Sequence, residues 1–404
     1  MYGSQPGMHG RAGLQVGDIF RAHGDDVLRR FPLSVRQRRV LRDVRRCRTA
    51  EMGGHVDVCA DCGHRQPSYN SCRNRHCPTC AAIPQARWIE QRRERVLPVH
   101  HFHVVFTLPA QFREFLSGND KLIYKIMFEA ASETLLTLGE QRFGAQLGIT
   151  AVLHTWTRDL RVHPHVHCVV TGGGLTRGAR PRWVASRHKY LFPVAVMRAL
   201  FRGKVVARLD KARKSGCMAL PFDLRDEGNW LDFLQRLRCR KWVVYCKAPF
   251  GGAEQVFEYL GRYTHRVAIS SARLRSVTQD EVVFRTRGDH VARMAPVEFI
   301  RRFLLHTLPP GFRKIRHYGL LSPSGVAHRL PLAMALLPNR RKPKAQDACP
   351  SAQAIEAEAR RCPVCRTGRL YRELTAPTDA ITARFAIHWG PRASPARSAG
   401  WDTS

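Results

Sequence analysis

Three groups of residues in this chain have the types and spacing to do chemistry. The first is rich in cysteine: Cys59-Ala-Asp-Cys62-Gly-His64, then Tyr69-Asn-Ser-Cys72-Arg-Asn-Arg-His76-Cys77-Pro-Thr-Cys80. A CxxC knuckle puts two thiolates on one cation, and two knuckles complete the tetrahedral sulfur set that zinc favours. Cys59/Cys62 and Cys77/Cys80, with Gly63 and Pro78 in turn positions, are therefore expected to share one structural zinc. Cys47, His55, Cys72 and His76 flank these knuckles. The full set of ligands suffices for two closed zinc sites. Equally, one zinc is enough, with Cys47 and Cys72 as small buried hydrophobes and the histidines turned to solvent or DNA. A third CxxC, Cys362-Pro-Val-Cys365 before Gly368, has only Cys349 and His388 near it in sequence, so no site is expected there.

The second group is His163-Pro-His165-Val166-His167-Cys168-Val-Val-Thr171-Gly-Gly-Gly174. Val166 to Thr171 is apolar and β-branched and reads as a buried strand ended by glycines. Residues two apart on a strand share a face, so His165 and His167 project side by side with Val166 behind them. Two adjacent imidazoles on a rigid strand are half of a divalent-metal site. The glycines are expected to let backbone or phosphate approach closely. Mg²⁺ or Mn²⁺ takes about six ligands, mostly oxygen, so a further protein ligand is expected. The candidates are His154, Asp159, His163 and His103. His163 shares the face of His165 only if the strand starts before Pro164, which argues against it. His154, on the preceding apparent strand, is preferred; equally, all four are loop or packing residues.

The third group is Glu258-Tyr259-Leu-Gly-Arg262-Tyr263-Thr-His265-Arg266. Tyr259 and Tyr263 are four apart, so on a helix both phenols lie on one face, flanked by Arg262 and Arg266. Taken alone, two tyrosines at this spacing are ordinary packing residues.

Together these motifs, with His317-Tyr-Gly-Leu-Leu-Ser322, resemble the transposases of the IS91 family over residues 15–340. The resemblance implies a single-strand endonuclease of the HUH (His-hydrophobic-His) two-tyrosine type behind an N-terminal zinc-binding domain. It places the histidine pair on His165 and His167 and the tyrosine pair on Tyr259 and Tyr263. It also implies 5′-phosphotyrosine intermediates and rolling-circle-like transposition of one DNA strand, with host replication proteins completing the work.

The composition is compatible with that. Lys and Arg number 67 and Asp and Glu 32, a formal charge of +35, which on a folded chain points to a polyanion. Arg36, Arg38, Arg39, Arg42, Arg45, Arg46 and Arg48 crowd into thirteen residues, and Arg73 and Arg75 sit among the zinc ligands, where they suit phosphate contacts. About half of the first set would be accounted for by a solvated helical face. The chain has 13 cysteines, an odd number, and its first residues carry no apolar signal core, so a reduced, cytoplasmic, nucleoid-associated protein is expected. No membrane association is expected, because no apolar run approaches about 20 residues.

The elements that must position these groups are legible in outline. The expected class is α+β: an antiparallel HUH-type sheet flanked by helices, preceded by a small zinc domain. Residues 1–14 read as a mobile N-terminus, 15–95 as a helical and zinc-binding DNA-recognition domain, 96–338 as the nuclease domain, and 339–404 as a basic linker and tail. Strands are expected at 101–109, 151–156, 165–171 and 241–245, and helices at 111–138 and 198–214. A hairpin of 267–274 with 281–286 and a helical stretch over 296–337 complete the reading. Two rival functions fit parts of it. A zinc-dependent regulator that only binds DNA explains the charge and cysteines but leaves the histidine and tyrosine pairs as coincidence. A plasmid replication initiator or relaxase would share the chemistry and differ in biology.

Overall fold

The computed structural model describes residues 13–80, 88, 95–247, 267–337, 353, 357–358 and 360–373. The chain divides into two compact units. Among the described residues, one joins 46–73 to 360–373, and the other comprises 13–45 with the described residues between 74 and 337. In chain order the elements are α1 (Val16–Arg30), α2 (Val35–Arg46), β1 (Gly54–Cys59), β2 (Arg65–Tyr69), β3 (His101–Thr107) and α3 (Phe112–Phe143). Next come β4 (Ala145–Trp156), β5 (Val162–Thr176), β6 (Trp183–Ala185), α4 (Val194–Lys214), α5 (Glu227–Cys239) and β7 (Val243–Lys247). They are followed by β8 (Leu274–Val277), β9 (Val282–Arg285), β10 (Val291–Met294), α6 (Pro296–Leu304), β11 (Ile315–Gly319), α7 (Pro323–Ala335) and β12 (Leu370–Arg372).

The larger unit is built on an antiparallel sheet in the order β11-β4-β5-β3-β7, with β6 paired to the far end of β5. One face is apolar. Val166, Cys168 and Val170 of β5 and Phe102, Val104 and Phe106 of β3 are buried with Phe128 and Leu135 of α3 and Phe201 and Val205 of α4. Each such side chain contributes about 1.5–3 kcal/mol by leaving water, so this layer fixes which face of β5 turns inward. The helix ends follow local chemistry. Gly144 closes α3 in the left-handed conformation (φ 57°), and its N–H reaches the Glu140 carbonyl at 2.9 Å. Asp226 caps α5 by accepting from the Asn229 N–H at 2.9 Å. The long helix α3 bends at Ser117 and Gly118, whose backbone angles are not helical.

The strands and helices otherwise fall close to the expected positions, with three differences. β5 begins at Val162, ahead of Pro164. A bulge in β5, with His163 and Pro164 opposite Thr155 of β4, accommodates the missing proline donor, and the Pro164 carbonyl accepts from the Leu108 N–H at 3.2 Å. The expected hairpin is shorter and belongs to a three-stranded sheet, β10-β9-β8. The stretch expected to be helical over 296–337 contains the strand β11, because Ile315–Gly319 fills the open edge of β4.

The smaller unit is a sheet in the order β12-β1-β2, with Cys59 opposite Leu370 and Asp57 opposite Arg372. This corrects the expected division. Residues 362–372 are a structural part of the unit that holds β1, where the sequence reads as linker and tail, because among the described residues β12 covers the edge of β1 that β2 leaves open. Among the described residues no helix is long and apolar enough to cross a membrane.

Candidate metal centre

On the second face of the central sheet the imidazoles of His103, His154, His165 and His167 neighbour one another. On β5, His165 and His167 alternate with the buried Val166 and so point away from the core. In the ladder His154 of β4 stands opposite His165, and Val105 of β3 stands opposite His167. Directly opposed residues share a face, which brings His154 to the β5 pair and places His103, two residues from Val105, on the same side. One ring nitrogen from each of His154, His165 and His167 lies within 4.8 Å of the others. The trio comes from two neighbouring strands whose register the core layer sets.

Neighbouring groups orient the rings. His103 Nε2 is 2.7 Å from His167 Nδ1, and the two rings are parallel within 2°. His165 Nδ1 is 2.7 Å from the His163 carbonyl, to which it donates. Each contact occupies a δ nitrogen; with Nδ1 of His167 as the donor to His103, Nε2 of His165 and of His167 carries the lone pair that a cation needs. Trp156 stacks on His154, with ring centroids 4.9 Å apart.

Burial keeps these rings neutral. It pushes His165 and His103 down to about 4 and lowers His154 and His167 well below the ordinary histidine value. Mutual repulsion among the imidazoles adds to this for His154, His165 and His167. A neutral imidazole is the form that ligates metal. Three of them fit a borderline divalent cation such as manganese better than magnesium, which prefers an all-oxygen shell. Lys314, half-buried behind Trp156 with Nζ 5.8 Å from the ring centroid, is pushed down to about 7 by burial and by Arg75. It is a basic group that no sequence motif singles out.

The other expected site residues fall as follows. Asp159 is hydrogen-bonded to Thr157 and ion-paired with Arg161 at 2.7 Å, apart from the histidine trio. Tyr259, Tyr263, Arg262 and Arg266 lie outside the described residues. The three glycines of β5 serve protein packing. A side chain at Gly172 would meet His100, one at Gly173 the Val184 carbonyl, and one at Gly174 the Gln146 carbonyl. Several bases of α4 are engaged by acids, Lys204 and Arg208 by Glu133 and Lys214 by Asp210, so its charge is less available than its composition suggests.

The cysteine reading needs correction. Cys59 and Cys62 gather with Cys362 and Cys365, within 4.8 Å of one another, so their partners are not Cys77 and Cys80. The third CxxC, from which sequence spacing predicts no site, supplies the other two thiols. His76 is no ligand: its Nε2 accepts from the Leu308 N–H at 3.1 Å and its Nδ1 is 3.0 Å from Asn74 Oδ1, so both nitrogens are engaged. His55 is likewise held, by Asn70 at 3.1 Å on Nδ1 and by Arg372 at 3.1 Å on Nε2. Cys47 and Cys77 are buried, and Cys72 and Cys80 half-buried. Arg73 is exposed, in a left-handed conformation (φ 52°). Arg75 is also exposed, yet commits one guanidinium N–H to the Phe312 carbonyl at 2.9 Å.

A family model described as "Putative transposase" matches residues 148–328, and one described as "Transposase zinc-binding domain" matches residues 19–108. The chain is similar to "Putative transposase y4qJ" of Sinorhizobium fredii (strain NBRC 101917 / NGR234), with 41% identity over 378 residues, 89% of this chain and 95% of the relative. It is also similar to "Transposase for insertion sequence element IS801" of Pseudomonas savastanoi pv. phaseolicola, with 25% identity over 362 residues, 84% of this chain and 83% of that protein. No solved structure matches it.

Proposed function

We propose that this chain, which belongs to the IS91 family of transposases, cuts and rejoins single-stranded DNA at insertion-sequence ends through 5′-phosphotyrosine links. The observation that carries this reading is the neutral trio His154, His165 and His167, with two of its rings oriented through their δ nitrogens. These three residues would hold one divalent ion, Mn²⁺ or Mg²⁺. When bound, it would offset the charge of a scissile phosphate and stabilise the departing 3′ oxygen.

The chain's own residues do the rest. A tyrosine has an ordinary pKa of about 10, so its phenol needs help as a nucleophile. In the proposed step Tyr259 or Tyr263 attacks phosphorus. A phenolic O–P bond forms, the P–O3′ bond breaks, the phenolic proton passes to solvent and the 3′ oxygen takes up a proton. The phosphodiester energy stays in the tyrosine link, so no nucleotide is consumed. The second tyrosine lets one protein hold the first cut end while cutting another strand. An incoming 3′-OH reverses the chemistry and reseals.

Around this centre the net charge of +35 favours DNA, with Arg73, Arg75, Arg262 and Arg266 as phosphate-contacting candidates. Structural zinc belongs to the zinc-binding match over residues 19–108. Cys47, Cys72, Cys77 and Cys80 are the other candidate zinc ligands of that stretch. The biological setting proposed is rolling-circle-like transposition in the cytoplasm, close to the nucleoid, with host proteins replicating the strand.

The test is a cutting assay on an end-derived single-stranded oligonucleotide with Mn²⁺ or Mg²⁺. A covalent protein–DNA adduct is expected from the wild type. It should vanish in the double variant Tyr259→Phe/Tyr263→Phe and in His165→Ala/His167→Ala. An adduct that persists in the tyrosine double variant sinks the nucleophile assignment.

A further inference from the structure

The chain carries a third CxxC at Cys362-Pro-Val-Cys365, beyond both family matches, and the nuclease reading does not use it. In the smaller unit it faces the first CxxC. Cys59 Sγ is 3.7 Å from Cys365 Sγ, and Cys62 Sγ is 3.7 Å from Cys362 Sγ. Four sulfurs held about 2.3 Å from a central zinc stand about 3.8 Å apart. A disulfide would instead bring two of them to about 2.05 Å. The spacing therefore suits a tetrahedral ion and not a covalent bridge.

The two loops are built alike, the second one residue longer. The Gly63 N–H returns to the Cys59 carbonyl at 3.1 Å, and the Arg366 N–H returns to the Cys362 carbonyl at 3.0 Å. Gly63 and Arg366 both take positive φ, 69° and 60°. The Cys59 N–H donates to the His64 carbonyl at 2.8 Å, and the Cys362 N–H to the Gly368 carbonyl at 2.8 Å. The Gly368 N–H points at Cys365 Sγ from 3.2 Å, a donor that steadies a thiolate. Gly368 has to be glycine, because a Cβ there would stand 2.4 Å from Cys59 Sγ.

The apolar core of this assembly is Cys59, Cys362 and Leu370, with Cys365 against it. Among the described residues this core is small, and small units commonly draw stability from a metal or a disulfide. We propose that Cys59, Cys62, Cys362 and Cys365 bind one zinc ion, which clasps the C-terminal segment to the first knuckle and is required for β12 to pair with β1. The site spans some 300 residues of sequence (362 against 62), so its formation requires the segment after the nuclease domain to return to the start of the chain. This inference is independent of the nuclease chemistry.

The experiment uses the full-length, zinc-loaded protein and two readouts. In the wild type, site-resolved alkylation followed by mass spectrometry should find Cys59, Cys62, Cys362 and Cys365 protected together, and reactive together after chelation. Cys217 and Cys239, both exposed, report the unprotected rate. Elemental analysis of Cys362→Ser/Cys365→Ser should show one zinc fewer per chain, whereas Cys365→His, which keeps a ligand, should retain the full complement. Ready alkylation of Cys362 and Cys365 while Cys59 and Cys62 stay protected would overturn the proposal. An unchanged zinc content in the double serine variant would do the same. If that variant loses more than one ion through misfolding, the wild-type alkylation pattern decides alone.

Discussion

His103 and His167 lie on neighbouring strands with their rings parallel within 2° and their facing nitrogens, Nε2 and Nδ1, 2.7 Å apart. The contact fixes which nitrogen of His167 looks toward His154 and His165. His103 is thus a positioning residue for the proposed metal centre, and the consequence is measurable. His103→Ala should weaken Mn²⁺ binding by about 10- to 100-fold, the usual cost of losing a partner behind a metal-bound imidazole. His103→Gln, which can still accept from His167 Nδ1, should recover part of that loss. Titration of Mn²⁺ by calorimetry or electron paramagnetic resonance reads both. Equal affinity in wild type and His103→Ala would remove His103 from the centre.

Packing at the end of β5 gives a second expectation. Gly173 has φ 138°, and a side chain there would stand 2.4 Å from the Val184 carbonyl of β6. Gly173→Ala should cost about 1–3 kcal/mol of unfolding free energy in urea titrations. At Gly203, in α4, an added Cβ would meet nothing within 4 Å, and the backbone imposes no constraint, so Gly203→Ala should stabilise by about 0.4–1 kcal/mol. Opposite signs from the same substitution would separate packing from composition.

Acid sensitivity has a definite direction at His306. This ring is buried, with Nδ1 3.2 Å from Thr155 Oγ1 and Nε2 donating to the Leu160 carbonyl at 3.1 Å. Burial pushes it from its ordinary 6.5 down to about 4. The unfolded chain therefore takes up the proton more readily than the folded one. The stabilisation held in a neutral His306 is complete above about 6.5 and is lost as the pH falls through 4. Its size is on the order of 3 kcal/mol. His306→Gln, which does not titrate, should give a flatter stability curve between pH 6.5 and 4. Parallel curves for the two proteins would show that His306 is not the group responsible.

Arg73 is exposed, whereas Arg75 commits an N–H to the Phe312 carbonyl. If Arg73 meets a phosphate, Arg73→Gln should weaken binding to single-stranded DNA of any sequence. It should also reduce the slope of log affinity against log salt by about 0.7, the share of one phosphate contact on a single strand. Fluorescence anisotropy across a salt series measures this, and an unchanged slope would place Arg73 away from the DNA.

Much of the candidate centre is legible without coordinates because strand geometry is local. Alternation along His165-Val166-His167 requires both imidazoles on one face and a valine on the other, and the apolar run to Thr171 requires burial of that valine. The types of the long elements follow from periodicity in the same way. The antiparallel α+β class and the family are readable in the order of the motifs. A hairpin argument selects His154 over three other candidates, and the ladder places it opposite His165.

What the sequence could not decide is pairing over long distance. A CxxC specifies two ligands and a turn, but nothing in its spacing names the other half of the tetrahedron. Cys59 and Cys62 read as partners of the nearby Cys77 and Cys80, and tertiary structure joins them to Cys362 and Cys365 instead. The position of β11 is hidden for the same reason, since Ile315–Gly319 becomes a strand only because β4 offers it an open edge. His103 is visible as a ligand candidate, yet its role behind His167 depends on the β3–β5 register, which the packed face sets and no local pattern encodes. Residue types and periodicity thus determined which groups can do chemistry here. The ladder and the close of the chain on its beginning decided which of them meet.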